Sequence, residues 1–236
     1  MTQRLDLAGL SARVVGDDDA TTTVVLLHGF GAPGDDLVAL GDALEIPNVR
    51  YVFPAAPVKL PRMYGNGLAW WMIDMEKLQD GYRTGNVAAL LAEIPDGLAF
   101  ARETLIAFLA ALQTELAIPD DRLVLGGFSQ GAMLTLDVAL HREAPIAGLV
   151  QLSGTLIAES VWQPRMERLE GLPIIQSHGK QDMVLPFVVA TTLRDRLVAA
   201  GAKHQWQPFT GGHEIPSPVL AQVGTFLASR ARAKRE

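Results

Sequence analysis

Residues 123–134 read Leu-Val-Leu-Gly-Gly-Phe-Ser-Gln-Gly-Ala-Met-Leu. A short apolar run ends in Gly127-Phe128-Ser129-Gln130-Gly131, and a helical pattern begins at once. Few architectures accommodate that junction. A strand that turns straight into a helix thrusts the residue at the turn above the sheet edge in a strained conformation, and small residues two before and two after let strand and helix approach. The N-terminus of the following helix then points at whatever the serine hydroxyl attacks. The bland alternative is a glycine-rich turn whose serine merely caps the helix.

The rest of the chain fits the first reading. Short apolar runs at 24–27, 51–53, 123–125, 147–150 and 173–175 are bounded by Gly, Pro or polar residues, as strands covered on both faces are. A further strand is expected at 204–209. Longer segments with 3–4 spacing lie between them, at about 96–116, 130–141, 187–200 and 218–230. Leu98, Ala101, Leu105, Phe108, Leu109 and Leu112 set the spacing of the first. Strand–helix alternation predicts an α/β fold, with one mostly parallel central sheet and helices on both faces. No linker or repeat divides residues 1–236, so one domain is expected. Asp17-Asp18-Asp19 reads as an exposed turn. Residues 54–71 form a long irregular loop with three prolines, a length often tied to function.

Composition removes other chemistries. The chain has no cysteine, which excludes disulfides, thiolate metal sites and a cysteine nucleophile. Its 20 basic and 26 acidic residues give a net charge of −6, without the basic stripe a nucleic-acid binder needs. The one basic cluster, Arg230, Arg232, Lys234 and Arg235, suits the end of a last helix. No apolar run is long enough to span a bilayer, and residues 1–6 lack a signal-peptide core. A cytoplasmic protein is expected.

A serine hydroxyl needs a base. His213 stands in Gly211-Gly212-His213-Glu214, a loop between the 204–209 strand and the last helix. His28 and His178 each precede a glycine after a strand and read as loop supports; His141 and His204 read as surface or helix-end residues. Asp182, a few residues beyond the 173–175 strand, is the acid that would orient His213. Alone it reads better as a helix N-cap or turn former. The order Ser129…Asp182…His213, with all three at strand C-terminal ends, favours the catalytic reading. For an oxyanion, the Gln130 and Phe30 N–H groups are the expected donors. Gly29-Phe30-Gly31-Ala32-Pro33-Gly34 also matches a dinucleotide fingerprint formally. Asp35 and Asp36 would repel a pyrophosphate there, and Pro33 offers no N–H.

Taken together, these segments resemble the bacterial carboxylesterase/phospholipase group of α/β-hydrolases, which includes the acyl-protein thioesterases. The likeness rests on Leu26–Gly31 followed by Asp35-Asp36, on Phe53–Pro57, Gly65-Asn66-Gly67 and Trp70–Asp74, on Gly126–Ala132, on Leu152-Ser153-Gly154, on His178–Asp182 and on Gly212-His213-Glu214. It covers roughly residues 22–228. It implies an α/β-hydrolase fold, Ser129 as nucleophile, Asp182 and His213 as partners, Phe30 and Gln130 N–H groups as oxyanion hole, and no cofactor or metal. Trp71-Met72 departs from the family's usual Trp-aromatic pair. Residues 75–95 look longer than in compact members, and the apolar stretch 87–91 reads equally as a lid helix or a surface excursion.

The leading expectation is a serine esterase acting on a small-molecule acyl ester, with thioesters or lysophospholipids also in range. A lactonase, a peptidase and a non-catalytic binding protein on the same fold are the alternatives. Leu68, Trp70, Trp71, Met72, Met183, Val184 and Leu185 are expected to line an acyl pocket. The 54–72 loop reads as a substrate rim or a homodimer contact.

Overall fold

The computed structural model describes residues 3–231. In chain order the elements are β1 (Gln3–Leu7), β2 (Leu10–Gly16), β3 (Thr22–Leu27), α1 (Val38–Leu44), β4 (Val49–Pro54), β5 (Val58–Lys59), β6 (Leu68–Ala69), α2 (Met75–Arg83), α3 (Val87–Ala92), α4 (Leu98–Glu115), β7 (Leu123–Phe128), α5 (Gln130–His141), β8 (Gly148–Leu152), α6 (Glu159–Trp162), β9 (Pro173–Gly179), α7 (Phe187–Ala199), β10 (Lys203–Phe209) and α8 (Ser217–Arg230). Arg230 lies in the last turn of α8, where the helix dipole favours a cation; Arg232, Lys234 and Arg235 lie outside the described residues.

Eight strands form one sheet in the order β1-β2-β4-β3-β7-β8-β9-β10. From β4 to β10 every neighbouring pair is parallel, while β1–β2 and β2–β4 are antiparallel. The expected α/β sheet is present, extended by an antiparallel edge that the apolar runs did not announce.

Alternation along the central strands feeds two cores. Val25, Leu27, Leu125, Leu149 and Ile174 pack with α4, α5 and α7 through Leu105, Leu109, Leu134 and Leu193. Val24, Leu26, Val124, Val150 and Ile175 face the other way, against Val219, Val223, Phe226 and Leu227 of α8. Such double burial calls for mainly apolar strands; β3 and β4 are buried throughout, with Thr22, Thr23 and Arg50 as their polar members. Parallel strands carry all their C-terminal ends to one edge, and the loops that leave this edge hold residues 28–31, 129, 182 and 213.

Candidate active site

Ser129 sits between β7 and α5 with φ 55° and ψ −120°. That is a costly backbone for a residue with a Cβ, on the order of 1–3 kcal/mol. Its position is the N-cap of α5, yet its side chain makes no capping bond. The capping explanation for this serine therefore fails, and the hydroxyl stays uncommitted. The flanking glycines are explained by space. A Cβ on Gly127 would lie 2.7 Å from Leu27 O, and one on Gly131 would lie 2.7 Å from His28 O.

Asp182 and His213 come from separate loops stitched backbone to backbone. Lys180 N–H donates to Phe209 O, and Gln181 N–H to Gly211 O, each at 2.9 Å. A Cβ on Gly179 would meet Gly211 O at 2.5 Å, so the approach depends on glycine. Across this seam His213 Nδ1 lies 2.7 Å from Asp182 Oδ2. Asp182 Oδ1 accepts from Val184 N–H at 2.9 Å and Leu185 N–H at 2.8 Å. One oxygen of Asp182 builds the turn and the other meets the imidazole. Burial alone would raise its pKa, but the His213 hydrogen bond and the Leu185 and Val184 amides outweigh it and hold the carboxyl below its usual value.

With Nδ1 bonded to Asp182, His213 Nε2 has no hydrogen-bond partner among the described residues. Among the described residues no hydrogen bond joins it to Ser129 Oγ. The Phe128 ring, one residue before Ser129, lies 4.7 Å from the His213 ring and keeps the two side chains on one side. Such pairs often close only around substrate.

The loop at 28–31 is packed directly on the elbow. A Cβ on Gly29 would stand 3.2 Å from Ser129 Cβ. Gln130 is the first residue of α5, so its N–H has no intrahelical partner. Among the described residues no backbone carbonyl accepts from Phe30 N–H. Gly29–Gly34 does not open a helix, since α1 begins only at Val38, and Gly29 is spent on the elbow.

His28 and His178 are the loop supports expected. His28 Nε2 accepts from Ala56 N–H at 3.0 Å, which places its proton on Nδ1, 2.8 Å from Gly29 O. His178 Nε2 donates to Leu185 O at 2.7 Å and lies 3.3 Å from Asp182 Oδ2. Burial lowers the pKa of both. His204 is not a free surface residue: its Nε2 is 2.9 Å from Gln176 Oε1 and its ring stacks on Trp206.

The residues expected to line a pocket divide. Met183 (90% exposed), Met72 and Val184 stand open beside the site. Leu185, Trp70 and Trp71 are buried. Trp70 in particular is a brace and not a wall, because its backbone and indole N–H groups are both consumed internally. Half-buried Leu68 pairs by its backbone with the oxyanion loop, receiving from Gly31 N–H at 2.9 Å and donating to Ala32 O at 2.8 Å. Met63 (85% exposed) and Tyr64 are open apolar residues the sequence reading passed over. Tyr64 meets Phe30 edge to face at 5.8 Å. Among the described residues no group of three or more His, Asp or Glu is arranged to hold a metal.

An α/β sheet with a strained serine between strand and helix, and an Asp–His pair on two later loops, defines an α/β-hydrolase of the serine-hydrolase class. The sequence profile of the phospholipase/carboxylesterase family matches residues 11–230, and the chain belongs to that family. Acyl-protein thioesterase 1 of Candida albicans is 32% identical over 220 residues, covering 88% of this chain and 91% of that protein. Acyl-protein thioesterase 1 of Schizosaccharomyces pombe is 27% identical over 210 residues, covering 87% and 89%. The crystal structure of esterase PE8 superposes with a TM-score of 0.78 at 28% identity, covering 93% of this chain and 98% of that one. A carboxylesterase from Mesorhizobium loti shares the fold with a TM-score of 0.78, at 20% identity and coverage of 96% and 98%. The protein is a serine hydrolase that cleaves ester or thioester bonds.

Proposed function

We propose that Ser129 is the nucleophile, His213 the general base and Asp182 its orienting acid, in one hydrolase domain spanning the chain. The hydrogen bond from His213 Nδ1 to Asp182 Oδ2 carries this reading, because it fixes the tautomer that leaves Nε2 free as base. Ser129 Oγ attacks the carbonyl carbon as His213 Nε2 takes its proton. The oxyanion forms between the Phe30 and Gln130 N–H groups. His213 then returns the proton to the leaving alcohol or thiol, and the acyl group stays on Ser129. Water, deprotonated by the same nitrogen, releases the acid and restores the serine.

The substrate class we infer is an ester or thioester with an apolar acyl chain. Met63, Met72 and Met183 are exposed and stand next in the chain to Tyr64, Trp71 and Asp182, and methionine adapts to chains of different length. The names of the thioesterase relatives point the same way. We read α2 and α3 as a lid over this rim. Lys77 on α2 bonds Glu93 just beyond α3 at 2.7 Å, and Glu93 O accepts from Ala158 N–H at 3.1 Å. Tyr82 on α2 is close enough to feel the Asp182 charge; burial first and that charge second push its pKa up to about 12.

The same exposed methionines carry the homodimer reading of this face, which light scattering decides. No nucleic-acid partner is expected from the net charge of −6. Among the described residues no helix is long and apolar enough to cross a membrane, and the reaction is proposed to run in the cytoplasm. A series of p-nitrophenyl esters and S-acyl peptides of increasing chain length tests the substrate class. Both bond types are expected to turn over, with kcat/KM rising beyond the acetyl member. A flat profile, or activity on lactones or amides alone, contradicts it.

A further inference from the structure

Two N–H groups that bind one oxygen must keep a fixed separation, yet Phe30 and Gln130 are a hundred residues apart in sequence and sit on different elements. The intervening segment is 68–71. Trp70 N–H donates to the Gln130 side-chain Oε1 at 2.9 Å, and Gln130 Nε2–H donates back to Trp71 O at 2.8 Å. The Trp70 indole N–H donates to His28 O at 3.0 Å, and the two rings lie 5.5 Å apart. His28 in turn fastens Gly29 O and Ala56 N–H. Leu68 closes the circuit through its two bonds to Gly31 and Ala32. Trp70 and the Gln130 side chain are completely or almost completely buried, so water does not substitute for these bonds.

We propose that Trp70 is a positioning residue for the oxyanion hole, setting the spacing of the Phe30 and Gln130 N–H groups through the paired hydrogen bonds of its backbone and its indole, with the Gln130 side chain as the second half of the brace. This rests on the assignment of those two N–H groups as oxyanion donors. The Gln130 side chain thus has a role separate from its own N–H. The brace acts where charge develops, so it affects the transition state and leaves ground-state binding alone.

The test uses full-length Trp70→Phe, which keeps a buried ring and loses the indole donor, and Gln130→Met, which keeps the side-chain length without charge and loses both the donor to Trp71 O and the acceptor for Trp70 N–H. On a p-nitrophenyl ester each is expected to lower kcat by about tenfold or more with KM within about twofold, since outright loss of a donor lowers kcat by roughly 10²–10³-fold. Inhibition by an acyl trifluoromethyl ketone, whose hemiketal oxygen occupies the hole, is expected to weaken by a similar factor. The double variant is expected to lose less than the product of the singles, because the two residues act as one unit. Wild-type kcat and inhibitor affinity in both folded variants overturn the proposal. If Trp70→Phe does not fold, Gln130→Met decides alone. Ser129→Ala is run alongside: its persistence of activity overturns the serine mechanism itself, whereas its loss beside unaffected brace variants overturns only the brace.

Discussion

His213 Nδ1 and Asp182 Oδ2 meet at 2.7 Å across the seam of two loops whose close approach depends on Gly179. Asp182 also holds its own turn with its other oxygen. Replacing it by Asn keeps the size and removes the charge that orients the imidazole. The expected result for Asp182→Asn is a fall in kcat on the order of 10³–10⁴-fold, as for triads elsewhere. Steady-state kinetics on a soluble ester measures it. A loss below about tenfold in a folded protein contradicts the role.

Acid pH should destabilise the fold through His204. Burial foremost, and Arg194 next to it, lower its pKa from the ordinary 6.5 to about 4. The unfolded chain takes up a proton near 6.5 that the folded chain refuses until about 4. The contribution of His204 is therefore complete above pH 6.5 and lost as pH falls towards 4. Asp182, also lowered, acts in the same direction further into the acid range. Melting temperature followed against pH is expected to drop more shallowly between 6.5 and 4 in His204→Gln. Parallel wild-type and variant curves rule the effect out.

A buried charge away from the site gives a stability prediction. Asp137 on α5 is fully buried, accepts from Trp162 Nε1–H at 2.7 Å and pairs with Arg102 at 3.1 Å. His141 adds a backbone bond to Asp137 O at 2.7 Å, so this histidine is a structural member of α5 and not merely its exposed end. Asp137→Ala leaves the Arg102 charge without its counter-ion and the Trp162 indole N–H without its acceptor, and is expected to lose about 3–5 kcal/mol. Urea unfolding reads this directly. A change under about 1 kcal/mol contradicts the account.

Much of this was legible because the relevant signals are local. The glycines around Ser129 announce a close approach, and Gly179, just before the Asp182 turn, marks where the two loops pass. β3, β4, β7, β8 and β9 were visible because burial on both faces favours mainly apolar runs, whereas β5 and β6 are two-residue strands inside the 54–71 segment that reads as an irregular loop. β1 was not, since an edge strand with an alternately exposed pattern needs few apolar residues. α1 escaped because it has seven residues, no side-chain cap and no acid in its first turn. Trp70 was misread for a different reason. Its partner Gln130 is 60 positions away, and nothing in an apolar residue's neighbours tells a wall of the pocket from a beam behind it. His204 looked free because Gln176 and Trp206 reach it only through the pairing of β9 with β10.

The central claim is that the reaction passes through an acyl group on Ser129. It is tested most directly by trapping, using a fluorophosphonate and a slowly hydrolysed p-nitrophenyl ester, with the adduct located by peptide mass mapping. One adduct per chain on the peptide containing Ser129 is expected, with none in a folded Ser129→Ala protein that no longer hydrolyses the ester. An adduct mapping to another residue, or wild-type turnover by Ser129→Ala, would contradict it.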